Sequence, residues 1–318
     1  MSGNKPAIVV SGSLAYDQIM DFPGSFAEHI LPNQIHNLNI SFFLSGWRQS
    51  FGGTAGNIAY NLALLQERPV ILGVVGFDFS SYRAWLKKNW IDASRIRPVA
   101  GDKTASAYII TDQKDNQIAA FYPGPLPKDY AKPNARKLKG VSLAIIAPDD
   151  KNRMMDYVSV YQDKEIPYIF DPGQALIAFS IPELKKAISG AKVLIGNDYE
   201  IKLIVDKLKI SLPVLSKMVE ILVITKGDRG SEIYHGKEKI SIRAAKPQNT
   251  CDPTGAGDAY RAGLIKGLTN GYNLKTCGQL AALSAVYTVE KFGTQTHRFS
   301  LAEFKKRYKA NFGEAITL

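Results

Sequence analysis

The chain has 318 residues, 45% of them hydrophobic, enough for one large α/β domain or a core domain carrying a small insertion. No apolar run is long enough to cross a bilayer, and Met1-Ser2-Gly3-Asn4-Lys5-Pro6 lacks the apolar centre of a secretion signal, so a cytoplasmic protein is expected. The net charge of +11 is dispersed, with its densest clusters at 83–88 and 305–309; it favours solubility and attraction of an anionic nucleotide, and no nucleic-acid or membrane partner is expected.

In chain order, short apolar and β-branched runs predict strands at 7–11, 70–75, 143–147, 168–171, 193–196 and 221–225. Amphipathic stretches between them predict helices at 57–66, 153–164, 181–189 and 199–208. Strand-helix alternation implies a mostly parallel central sheet with helices on both faces, and ligands then bind beyond the carboxyl ends of the strands. Four segments, 16–20, 38–44, 104–111 and 117–121, read as strands without intervening helices. The last two are joined by the turn-rich Asp112-Gln113-Lys114-Asp115-Asn116. They predict a small antiparallel sheet inserted as a lid, formed by 16–44 and 104–121. Residues 1–15, 45–103 and 122–318 then make the larger unit. After residue 255 the chain reads as three helices, 257–269, 274–291 and 301–311.

The strongest chemical signal is Asp252-Pro253-Thr254-Gly255-Ala256-Gly257-Asp258-Ala259-Tyr260-Arg261-Ala262-Gly263. A small-residue turn opens a helix there, and the free amides of Gly255, Ala256 and Gly257 make an anion site. Asp258, in the first helical turn, can accept a proton from an attacking hydroxyl. A second glycine-led helix start, Phe51-Gly52-Gly53-Thr54-Ala55-Gly56-Asn57, lets a sugar lie against backbone, with Asn57 supplying both a donor and an acceptor. The cysteines, Cys251 and Cys277, are read as reduced thiols, and the four histidines stand at no metal-ligand spacing. The chain has no G-x-x-x-x-G-K-[ST], H-R-D or D-F-G, which disfavours P-loop and protein kinases, and no G-x-G-x-x-G follows the first strand.

The two glycine motifs together resemble the ribokinase (PfkB) family of carbohydrate kinases over nearly the whole chain. Asn197-Asp198-Tyr199-Glu200 is similar to that family's Asn-x-x-Glu motif, and Thr225-Lys226-Gly227-Asp228-Arg229-Gly230 to its nucleotide loop. Asp21-Phe22-Pro23-Gly24, Ser41-Phe42-Phe43-Leu44, Phe121-Tyr122-Pro123-Gly124 and Gly293-Thr294-Gln295 further resemble bacterial-type adenosine kinases. The resemblance implies phosphorylation of a nucleoside 5′-hydroxyl by ATP with Mg2+, adenosine foremost. The alternatives are a sugar kinase acting on ribose or fructose and a broad-specificity nucleoside kinase. It implies ribose contacts at Asp17, Gly53 and Asn57, base contacts at Ser13, Phe121 and Gln174, and ATP contacts at Asn197, Glu200, Thr225, Gly227 and Gly230. Asp252 matches a position tied to a monovalent cation such as K+, and a homodimer through the lid is admitted. Two departures stand out: Asp171-Pro172-Gly173-Gln174-Ala175 has one amide fewer than the usual segment, and Ala107 replaces a lid aromatic beside Tyr108.

Overall fold

The computed structural model describes residues 7–30, 40–114, 116–125, 138 and 140–318. Among these, nine strands form one sheet: β1 (Ala7–Ser11), β4 (Pro69–Val75), β5 (Ile96–Pro98), β8 (Val141–Ile146), β9 (Tyr168–Phe170), β10 (Val193–Asn197), β11 (Ile221–Thr225), β12 (Ser231–His235) and β13 (Glu238–Ile242). Their order is β13-β12-β11-β10-β9-β8-β1-β4-β5, parallel from β11 to β5 and antiparallel at the β11-β12-β13 end.

The period-2 direction of strand side chains divides the core in two. Ile8 and Val10 of β1 and Ile145 of β8 face a cluster covered by α2 (Thr54–Leu64), α3 (Ser80–Lys88), α8 (Ala256–Thr269), α9 (Leu274–Val289) and α10 (Leu301–Phe312). Val9, Ala144 and Ile146 face the other side, under α4 (Lys151–Asp163), α5 (Ile181–Ser189), α6 (Asp198–Leu208) and α7 (Leu212–Ser216). Burial on both faces is why these strands read as continuous apolar runs. Cys251 and Cys277 are both free.

A separate four-stranded sheet contains β2 (Ala15–Asp21), β3 (Gly46–Gly52), β6 (Ala105–Thr111) and β7 (Gln117–Tyr122), in the order β3-β2-β6-β7. Its outer pairings are antiparallel and the central one, β2-β6, is parallel. The expected hairpin 104–121 forms. Asp112 holds its turn by accepting hydrogen bonds from the backbone N–H groups of Lys114, Asn116 and Phe26, the last in α1 (Phe26–His29).

The strand expected at 38–44 is corrected. Residues 40–44 form no strand, and 38–39 lie outside the described residues. The alternating Leu38-Asn39-Ile40 pattern mimics a strand, but the Phe42 ring is taken up by Phe22, Phe26 and His29. The strand lies instead at Gly46–Gly52, so these residues pair in the smaller sheet although the sequence assigned them to the larger unit. Arg48 and Gln49 within it are exposed, and so polar a strand offers little apolar alternation to read.

Candidate active site

Strands β8, β9, β10 and β11 end at one rim, where Pro148, Asp171, Asn197 and Thr225 line a cavity of about 270 Å3. The N-termini of α2 and α8 close it, contributing Thr54, Gly255, Gly257 and Asp258. Gly255 caps α8 with φ +78°, a left-handed conformation that L side chains rarely adopt, so the turn needs glycine there. Ala256 N–H is not free as expected, since it donates to Pro253 O at 3.1 Å, while the Gly257 and Asp258 amides have no such partner among the described residues and stand beside the positive end of the helix dipole.

Asp258 is half-buried in the first turn of α8, and its Oδ2 accepts a hydrogen bond from Asn57 Nδ2 at 2.8 Å. Burial pushes its carboxyl up to about 6, against the pull of Arg261 and of the Asn57 hydrogen bond. At neutral pH it is mostly ionised, yet basic enough to take a proton. Asp17 on β2 is also pushed up to about 6, by burial and then by the charge of Asp252. Asp17 has no hydrogen-bonding partner among the described residues, so its carboxylate is open to a ligand donor. Asp252 ties its own loop to the segment after α9, accepting from Thr254 N at 2.9 Å and Gly293 N at 3.1 Å.

Of the other residues singled out by sequence, Gln174, Asn197, Glu200, Thr225, Gly255 and Gly257 line the cavity. Asn197 and Glu200 first serve α6: the Asn197 side chain accepts from Glu200 N and the Glu200 side chain accepts from Asn197 N, a reciprocal helix cap. Gly227 opens the short 3-10 turn after β11 and Gly230 caps its end, and neither lines the cavity. Ser13 ties the β1-β2 turn to α2, its hydroxyl accepting from Thr54 N at 3.1 Å, and Gly53 caps α2. Ala256 is the first residue of α8. Phe121 sits on β7 opposite Ala107, 61% exposed and away from the cavity lining.

Sequence reasoning gave no role to Arg261 or Asp171. Arg261, one turn after Asp258, is buried and makes a two-point ion pair with the fully buried Asp171, through Nε to Oδ2 and Nη2 to Oδ1. Burial works against the guanidinium charge, but Asp171 outweighs it and holds the arginine firmly protonated. Its third nitrogen, Nη1, has no hydrogen-bonding partner among the described residues and lies against Gly257, where a Cβ would stand 2.7 Å away. The available signal was a lone cation inside the apolar run Ala259-Tyr260-Arg261-Ala262-Gly263-Leu264. Buried charges of that kind are rare without a partner. Among the described residues no three His, Cys, Asp or Glu side chains cluster to hold a metal.

The family model described as pfkB family carbohydrate kinase matches residues 29–299. The nucleoside kinase of Methanothermobacter thermautotrophicus is 36% identical over 282 residues, 86% of this chain and 90% of that protein. The nucleoside kinase of Burkholderia thailandensis, solved in complex with inosine, superposes with a TM-score of 0.87 at 34% identity, covering 97% of this chain and 100% of that one. The nucleoside kinase of Methanocaldococcus jannaschii, described as an archaeal member of the ribokinase family, superposes with a TM-score of 0.86 at 29% identity, covering 97% and 100%. A family match over most of the length and whole-chain likeness at these identities agree with the two glycine-led helix starts, and the chain belongs to the pfkB family of carbohydrate kinases as an ATP-dependent kinase of ribokinase-like fold.

Proposed function

We propose that the chain transfers the γ-phosphoryl group of ATP to the 5′-hydroxyl of a nucleoside, with adenosine the preferred acceptor. The observation that carries the reading is Asp258: one carboxylate oxygen is held by Asn57, the other has no partner among the described residues, and both stand at the glycine-led N-terminus of α8. The free oxygen takes the proton of the attacking hydroxyl, and the amides around Gly255–Gly257 receive the charge of the transferred phosphoryl group. Mg2+ bound with ATP would neutralise phosphate charge. Asp17 and Asn57 hold the ribose hydroxyls, Asn197, Glu200 and Thr225 face ATP, and Gln174 faces the base. The small sheet closes over the acceptor and excludes water. Asp252 and its loop form a K+ site that orders Gly255–Gly257. The chain works in the cytoplasm and pairs with a second copy through the small sheet.

Relatives named nucleoside kinases support a nucleoside acceptor over a free sugar. A second reading, a broad-specificity nucleoside kinase, is favoured by the inosine complex of the Burkholderia thailandensis enzyme and by the small Ala107 opposite Phe121. A coupled ADP-release assay over adenosine, inosine, ribose and fructose decides. Adenosine should lead in kcat/KM; near-equal adenosine and inosine establish the second reading, and ribose or fructose leading refutes both. Rates in potassium and in tetramethylammonium test the cation site, and equal rates would refute it.

A further inference from the structure

A buried chain of hydrogen bonds reaches Asp258 from the side away from the cavity. Gln295, after α9, is 3% exposed and touches both α2 and α3. Its Oε1 accepts from Trp85 Nε1 at 2.9 Å. Its Nε2 donates to Asn57 Oδ1 at 3.0 Å and to the Tyr82 hydroxyl oxygen at 2.6 Å. Tyr82 gives its own proton to the Gly52 carbonyl at 2.8 Å.

The direction of every bond in this chain is forced. An indole N–H only donates, so Trp85 must meet the oxygen of Gln295. A hydroxyl whose proton is committed to a carbonyl can only accept, so Tyr82 must meet the nitrogen. Both neighbours demand the same amide orientation, which leaves Asn57 Oδ1 to accept and Asn57 Nδ2 to face Asp258. Gly56 makes room for the chain, because a Cβ there would collide with the Tyr82 hydroxyl and stand 3.0 Å from Gln295 Nε2.

We propose that Trp85 and Gln295 are positioning residues that set the donor sense of Asn57, so that Asn57 presents N–H and never C=O to Asp258. An N–H on Oδ2 favours the ionised carboxylate and leaves Oδ1 for the acceptor hydroxyl. The other groups facing Asp258 are Arg261 from α8, which favours its charge, and Asp171 after β9 and Asp17 from β2, which oppose it; Tyr82 from α3, raised by burial, stays neutral. Glu200 of α6 lines the same cavity. The Asn57 donor is therefore one of few influences that keep Asp258 ionised at neutral pH.

The proposal rests on the reading of Asp258 as the base, and its test separates the two. In Gln295→Met the amide is lost at similar length, and Asn57 is free to turn. The Asp258 carboxyl, followed by 13C NMR titration, should then titrate about one pH unit higher than in the parent. The acidic limb of kcat should move by the same amount, so that turnover at pH 6 falls about fivefold and recovers at pH 8. An unchanged Asp258 titration in a variant with normal melting temperature overturns the proposal. A shifted titration with an unmoved kcat limb supports the positioning role and refutes Asp258 as base. Should Gln295→Met fail to fold, Trp85→Phe takes its place: a smaller upward shift is expected, since Tyr82 still orients the amide, and no shift overturns the proposal.

Discussion

Asp258 carries two opposed demands, and one substitution separates them. Asp258→Asn should lower kcat about 10²–10⁴-fold with little change in the KM of either substrate, the loss expected for a general base. The same change should stabilise the protein above pH 6. The folded carboxyl titrates near 6 against an ordinary 3.8, so the folded state holds its proton to higher pH than the unfolded chain. Stability is accordingly lost as pH rises from 3.8 to 6 and is level beyond. The full shift corresponds to about 3 kcal/mol, reduced to about 1–2 because the side chain is partly solvated. Denaturant melts of the parent and Asp258→Asn should diverge at pH 8 and coincide at pH 4. Arg261 offers a second separation. Arg261→Met strands the buried Asp171 carboxylate and should cost about 3–5 kcal/mol. Adding Asp171→Asn should restore the stability but leave kcat about 10²-fold low, because Nη1 no longer faces the anion site. A double variant with parental turnover would show that Arg261 serves packing alone.

At the scale of elements, the site depends on how two helices begin. Gly255→Ala forces a side chain into a left-handed turn and brings its Cβ to 2.9 Å from Thr294 Cγ2. The strain is about 1–3 kcal/mol, and relieving it displaces the amides proposed to meet phosphate. The KM for ATP should rise more than that for the nucleoside; an equal rise in both would move the anion site elsewhere. Helix starts with chemical punctuation were the legible ones. Ser180 and Glu183 form a reciprocal cap, and α5 spans Ile181–Ser189 as expected. Asn197 and Glu200 do the same for α6, one residue earlier than expected. The hairpin at 231–242 was not legible. The β12-β13 hairpin carries Glu232, Lys239 and Ser241 among its apolar residues, and only its pairing with β11 identifies it.

For the whole molecule, the small sheet matters through its exposed apolar side chains. Trp47 on β3 and Ile118 on β7 share one face of the small sheet, in register across Met20 and Ile110, and both are exposed, Trp47 by 65%; Phe121, 61% exposed, points to the other face. Exposed aromatics on a small sheet fit the homodimer proposed above. Light scattering should give twice the chain mass, and Trp47→Glu should return it to one; a monomer at assay concentrations would refute the pairing. Among the described residues no helix is long and apolar enough to cross a membrane.

The sequence by itself determined the parallel sheet, the order of its helices, the two glycine-led helix starts and the place of Asp258 in the first turn of α8, because each rests on local signals: unbroken apolar runs, caps, and turns that demand small residues. Tertiary structure alone decided the rest. Residues 46–52 became a strand by pairing with β2, while the alternating residues before them gave up Phe42 to an aromatic cluster. Arg261 met Asp171 across 90 positions and Gln295 met Asn57 across 238, and the sense of those hydrogen bonds follows from which donors and acceptors the fold brings together. No local pattern records such distant pairings, because they arise from packing the two helix starts against the ends of the strands.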